Sequence, residues 1–546
     1  MLAAGASGPG FGAKLTDLEH TRIDEPRPPG VPSDEALEAA GAVIGTIDVD
    51  VRNIFDQSDP RETTGLFRLA NRLHIRTKPS AIRAQLLFAS GDRYRAKKLA
   101  ETERNLRLLR FVYDAHVVPV RYADGVVDIK VITKDVWTLS PGFSFGRSGG
   151  TNSTSYDILD TNILGLGKTL EVSRGSTVDR TANAISWADP NVFGSHWTSQ
   201  ASYVDASDGS ARSLQIAAPF YSLDTRWSAT LSGIAFDRTL SRYYLGDIVD
   251  QFNDNESSYA FVGGLSSGVV DGWVKRLMYG MIYDRNIFIP APGTAVPAKP
   301  LPPDRILSYP FVGFDILQDD FKKVGDENEI GRTEDLYLGT QVTASVGWSS
   351  GAFGANQNAA VLYSTFTTGY ELPAEQQLFL NAALSARIEE GRARNLITDA
   401  GARYYWRWHE NYLLYVSASG TVTDALDPDQ QLLLGGDNGL RGYPLRYESG
   451  TSRALVTVEQ RAFTDWYPFR LVRVGAAVFT DVGRTWGSGV IGNSDPGLLR
   501  DVGFGLRLGN TRTGLGNVVH VDFAFPLTNS PGAQRFQFLV QTMQSF

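Results

Sequence analysis

From residue 137 to its end the sequence alternates between apolar and polar residues. VVHVDFAFPL puts Val519, Val521, Phe523, Phe525 and Leu527 on one side, and His520 and Asp522 on the other. VGFGLRL sets Val502, Phe504, Leu506 and Leu508 against Gly503, Gly505 and Arg507. LYLGTQVTASVGW, read as one run, alternates from Leu336 to Trp348. Side chains of a strand point alternately to its two faces, so each run predicts a β-strand with one apolar face. That face needs a cover. A soluble sandwich supplies a second sheet, but it would rarely continue over residues 137–546 without a helix. Lipid supplies the cover if the sheet closes on itself and leaves no unpaired edge. No stretch approaches the roughly 18 consecutive apolar residues of a membrane helix, whereas a membrane strand needs about ten residues with only alternate ones apolar. Aromatics near the predicted strand ends (Trp137, Trp187, Trp197, Tyr404, Trp406, Trp408, Trp466, Tyr467 and Phe546) fit interfacial girdles. The predicted class is mainly β: a transmembrane antiparallel β-barrel over 137–546. Direct counting gives about 20 strands, roughly four of them extra runs between 255 and 424.

The chain before the barrel has a different texture. Residues 1–42 contain DEPRPPGVPSDE and are expected to be a flexible lead-in. Residues 43–136 predict a small α+β domain. AVIGTIDVDV reads as a strand. TTGLFRLANRL reads as a helix with Leu66, Leu69 and Leu73 on one face, and KPSAIRAQLLF places Ile82, Leu86 and Leu87 at helical spacing. RAKKLAETERNLRLLR is helical and charged, and is expected to be a solvated face. FVYDAHVVPVRY and VVDIKVITKD flank Asp124-Gly125, a hairpin signal.

Composition excludes several functions. A net charge of -8 with acidic and basic residues interspersed gives no footprint for nucleic acid. Zero cysteines exclude disulfides and thiolate metal sites, and suit an oxidising compartment. The six histidines are scattered, so no metal site is readable. His520 and Asp522 share a face, but no G-x-S-x-G elbow accompanies them, and no catalytic residue or cofactor is assigned. MLAAGASGPGFG lacks the basic and apolar regions of a secretory signal, so the sequence reads as a mature or engineered form, the alternative being a chain that is not a membrane barrel.

Parity identifies one constellation. Over 452–463, Ala454, Val456 and Val458 face lipid, so Leu455, Thr457, Glu459 and Arg461 face the lumen. Over 471–483, Val472, Val474, Ala476, Val478 and Val482 face lipid, so Arg473, Phe479 and Asp481 face the lumen. Gly435-Gly436-Asp437-Asn438-Gly439-Leu440-Arg441-Gly442-Tyr443-Pro444 precedes both strands. If the 435–449 loop folds inward, Arg441 reaches Glu459 and Asp481. Its planar fork suits two carboxylates, Gly442 allows close backbone approach, and Tyr443 lies against the wall. An ordinary salt-bridged lumen arginine is the alternative.

LRGY, then a strand glutamate, then F-x-D-x-G resembles the barrel half of the BamA/TamA/FhaC superfamily. DTNILGLGKTLEVS and AISWADPNVFGSHW resemble that superfamily's N-x-x-G-x-G and D-P segments near the barrel start, and residues 43–136 resemble a POTRA domain, down to Gly-Asp-x-Tyr before the charged helix. The resemblance implies a bacterial outer-membrane protein with 16 strands and its N-terminal domain in the periplasm. It also implies a role in inserting client barrels, or alternatively in exporting a secreted partner. A passive porin or surface antigen would need neither feature. Its implied partners are the bilayer, unfolded outer-membrane or secreted clients, and a periplasmic chaperone or accessory lipoprotein. It further implies a lateral seam between first and last strands, which the sequence places at Phe143 and Phe145 on one flank and Phe536, Phe538 and Phe546 on the other.

Overall fold

The computed structural model describes residue 23 and residues 25–291, 300–325, 333–468, 471–487, 496–510 and 518–543. Its N-terminal unit is built on three strands, Val43–Arg52 (β1), Val112–Ala123 (β2) and Val126–Asp135 (β3), in the order β1-β3-β2, with β1 parallel to β3. Four helices accompany them: Asp34–Ala39 (α1), Gly65–Leu73 (α2), Pro79–Arg83 (α3) and Ala96–Arg107 (α4). Asp124 and Gly125 both take positive φ, 52° and 77°, which matches the right-handed twist of the β2–β3 hairpin they connect. Leu99 and Leu106 from α4 and Ile82 from α3 bury against Ile44, Val127, Ile129 and Val131.

Several expectations change here. The expected lead-in carries structure of its own: Ser33 Oγ caps α1, and Leu37 enters the core. Residues 86 and 87 lie beyond α3, because Gln85 turns aside to Asn191 and Leu87 N–H donates to Thr102 Oγ1. In α2 the leucine stripe is turned away from the core. Phe67 is buried on Ile54 and Phe55, whereas Leu66, Leu69 and Leu73 are 61%, 51% and 63% exposed. Nor is α4 a solvated face. Arg107 pairs in a fork with Asp335 (2.7 Å to each oxygen) and with Glu103 (2.7 Å), and Arg104 lies over the Phe321 ring. Both partners from beyond the domain, Phe321 and Asp335, belong to a barrel hairpin.

The barrel has 20 strands, not 16. They begin with Leu139–Ser148 (β4), Thr151–Asp160 (β5), Thr169–Ser176 (β6), Thr181–Asp189 (β7), Thr198–Ala206 (β8), Gly209–Ala218 (β9), Trp227–Tyr244 (β10), Asp247–Val270 (β11), Trp273–Pro290 (β12) and Arg305–Gln318 (β13). A side hairpin, Phe321–Gly325 (β14) with Thr333–Tyr337 (β15), interrupts them. The wall resumes with Gln341–Ser349 (β16), Ala359–Leu372 (β17), Gln376–Glu389 (β18), Arg392–His409 (β19) and Tyr412–Asp424 (β20). A small ladder, Leu432–Leu434 (β21) with Glu448–Gly450 (β22), precedes the last five: Ser452–Phe463 (β23), Val472–Trp486 (β24), Leu499–Asn510 (β25), Val518–Pro526 (β26) and Gln537–Met543 (β27). Leu336–Trp348 is therefore two strands. Leu338 and Gly339 both donate to Asp320 O, which turns the chain from the β14–β15 hairpin into the wall. Parity elsewhere is as the pattern requires: Phe504 is 52% exposed on the outer face, and Arg507 is fully buried inside.

The contact between α4 and this hairpin is expected to respond to pH. His116 Nδ1 lies 3.4 Å from Glu103 Oε2, and Lys323 and Arg107 reach the other oxygen. The hydrogen bond to Glu103 raises His116 above the ordinary histidine value. Protonated His116 therefore contributes stability that is fully present below about pH 6.5 and is lost as pH rises through the raised folded value. Amide exchange in α4 of the whole chain, corrected for its intrinsic pH dependence, should quicken across that window, and His116→Gln should flatten the response. An identical response in both proteins contradicts this coupling.

Candidate functional site

At the mouth away from the N-terminal domain, residues 425–451 join β20 to β23 and fold inward. β23 and β24 hold Glu459 and Asp481 on their lumenal faces, and the structure brings both to Arg441. Arg441 Nε and Nη2 donate to the two oxygens of Asp481 at 2.8 and 3.0 Å, and Nη1 donates to Glu459 at 3.0 Å. The guanidinium lies over Phe479, 3.3 Å from the ring centroid. Thr457 Oγ1 donates to Asp481 at 2.8 Å.

The clamp is larger than its sequence signature. Arg441 Nη1 also lies 3.5 Å from Asp522. Arg507 bridges Asp522 and Glu459, and Arg461 Nε donates to Glu459 at 3.0 Å. Three guanidiniums thus interleave with three carboxylates, and Glu459, Asp522, Arg441 and Arg507 each meet more than one partner. Arg461, Arg507 and Asp522 were legible as lumen-facing by parity. Their convergence on one point was not, because it depends on barrel curvature. Gly442 has a steric reason: its N–H donates to Asp501 at 3.0 Å, and a Cβ there would sit 2.7 Å from that of Asp501. Tyr443 is buried with Leu440 and Tyr447, and its hydroxyl donates to Arg500 O at 2.9 Å.

A second anchor had no local signal. Arg387 of β18 forks onto Asp427 at 2.7 and 2.8 Å, and Arg305 of β13 donates to Asp427 and Asp429 at 2.9 and 3.2 Å. Arg242 of β10 donates to Pro428 O. Farther along, Arg446 donates to Asp179 at 2.6 Å, and the backbone at Leu445 crowds Gly149. The 425–451 segment is therefore a strap across the mouth, tied to opposite walls.

The first and last strands meet briefly. Among the described residues, Val540 opposite Arg147 is the one registered pair of β27 and β4. By contrast β4–β5 has ten pairs and β26–β27 has seven. The predicted seam aromatics each pack on their own flank: Phe143 on Tyr156, Phe538 on Phe523 and Phe536 on Phe525. Phe145 is exposed, and Phe546 lies outside the described residues.

Residues 377–542 match the Omp85 superfamily domain. No curated protein matches the chain in sequence. Among solved structures, the chain is similar to CdiB from Escherichia coli (13% identity over 91% of this chain and 76% of that one, TM-score 0.47). It is also similar to BamA from Haemophilus ducreyi lacking POTRA domains 1-3 (13% identity, 91% and 85%, TM-score 0.39). These likenesses are loose, and the family assignment rests on residues 377–542. Omp85 barrels are assembly and translocation proteins of the outer membrane rather than enzymes. Residues 377–542, which carry the strap's clamp, both of its first two carboxylates and one flank of the seam, are thus the part of the chain that matches the Omp85 superfamily domain.

Proposed function

We propose that this protein inserts client β-barrel proteins into the bacterial outer membrane, with residues 43–136 acting as a periplasmic POTRA domain. The observation that carries the reading is that, among the described residues, one registered pair joins β4 and β27. Each backbone hydrogen bond lost in lipid costs several kcal/mol, so a wall that parts must do so where few bonds close it. Parted edges offer unpaired donors and acceptors to a client strand. Before that step, an outer edge of the β1-β3-β2 sheet takes a client strand by β-augmentation. Export through the lumen is less well supported, since the strap crosses the mouth and is tied down by buried ion pairs.

The test uses the whole chain in proteoliposomes and an unfolded small outer-membrane barrel as client. The client should acquire its heat-modifiable, protease-resistant form faster than in empty liposomes. An unchanged rate, or passage of a secreted polypeptide without client insertion, contradicts the proposal.

A further inference from the structure

Two turns at the barrel end nearest the N-terminal unit repeat one design. Asp160-Thr161-Asn162-Ile163-Leu164-Gly165 joins β5 to β6, and Asp189-Pro190-Asn191-Val192-Phe193-Gly194 joins β7 to β8. In each, the asparagine N–H donates to the aspartate at 2.9 Å. Each then places an apolar residue in the left-handed region, Leu164 at φ 52° and Phe193 at φ 54°. Non-glycine residues there are strained, and such strain persists only where the surroundings impose it. Both strained side chains are held outward: Leu164 is 60% exposed and Phe193 fully so. Close by, Trp197 lies edge-on to Trp227 at 6.3 Å, both exposed on the outer wall, as in the aromatic belt of a membrane barrel.

The same turns seat α3 and the segment that joins α2 to it. Lys78 N–H donates to Gly165 O at 2.8 Å, Asn162 donates to Thr77 at 2.7 Å, and Asn191 donates to Ala84 O at 3.2 Å. The buried side of α2 also touches Trp137 and Leu471, just ahead of β4 and β24. Its opposite side leaves Leu66, Leu69 and Leu73 more than half exposed among the described residues. The helix, GLFRLANRL, has no acidic residue, and Arg68 and Arg72 border the leucines in a chain of net charge -8. Apolar residues bordered by arginine are the pattern of a helix lying in an anionic membrane surface.

We infer that α2 and the two turn tips form a lipid-docking surface, in which Leu66, Leu69, Leu73, Leu164 and Phe193 enter the bilayer leaflet beside the N-terminal unit. The occupant is lipid, because the Phe193 turn runs directly into Trp197 of the exposed outer aromatic pair, and the α2 leucines are bordered by arginines at the same end of the barrel. Docking holds the N-terminal unit against the membrane plane and fixes where it can present a client to the seam. The inference rests on the membrane-barrel assignment and not on the direction of client traffic.

The natural chain has no cysteine, so single cysteines can carry an environment-sensitive fluorophore in vesicles containing anionic phospholipid. Lipids with a nitroxide near the headgroup should quench labels at Leu69→Cys and Phe193→Cys several-fold more than one at Val126→Cys. Val126 starts β3, whose ten residues place it about 30 Å from the barrel end of that strand. Val478→Cys, on the outer wall, is the positive control, and its quenching shows that the barrel is embedded. Quenching at Val478→Cys with none above the Val126→Cys level at Leu69→Cys and Phe193→Cys overturns the inference. So does protection of those labels that appears only when an unfolded client is added, since that would make the surface a client site.

Discussion

Replacing Arg441 by alanine is expected to cost the folded barrel about 3–5 kcal/mol, the range for removing one partner from a buried ion pair. The loss exceeds that of one bond because Asp481, Glu459 and Asp522 all turn towards this guanidinium. Arg507 and Arg461 still compensate Glu459. Asp481 keeps only the Thr457 hydroxyl among the contacts described above. Arg441→Ala should therefore lower the temperature at which the heat-modifiable form is lost, and free the strap to protease. Arg441→Lys should recover only part of the loss, because an ammonium lacks the planar fork that matches Asp481. Asp481→Asn should produce a related defect, and the double variant with Arg441→Ala should be less than additive because the two share one interaction. Strict additivity would mean that the pair contributes little and that Tyr443 and the Asp427 anchor hold the strap by themselves.

The parts of this structure that were legible in the sequence are those governed by a local period. Alternation specifies the inward faces of β23 to β26, and so places Glu459, Asp481, Arg507 and Asp522 in the lumen. The count of about 20 strands followed from the same alternation, against the 16 implied by resemblance. The failures share another cause. Helical spacing cannot say which side of α2 meets the core, and there Phe67 won over three leucines. The stacking of Phe67 on Phe55, 4.3 Å between centroids, and the hydrogen bonds of Asn71 to the Phe55 backbone decide that orientation. The charged face of α4 looked solvated because its partner, Asp335, lies 228 residues away. The Asp427 anchor was hidden for the same reason: Arg305 and Arg387 become its neighbours only after the sheet has closed. The break at Gly339 was hidden by a run that alternates without interruption through a turn.

If the wall opens between β4 and β27 as proposed, cysteines at Arg147 and Val540 should lock it. The two positions are register partners. Directly opposed Cβ atoms in an antiparallel pair lie about 4.5–5.5 Å apart, close enough for a disulfide with slight adjustment. They would be the only cysteines in the protein. Oxidation should leave the barrel folded and heat-modifiable, abolish client insertion in proteoliposomes, and be reversed by dithiothreitol. Undiminished insertion by a preparation whose cross-link is confirmed would contradict the account.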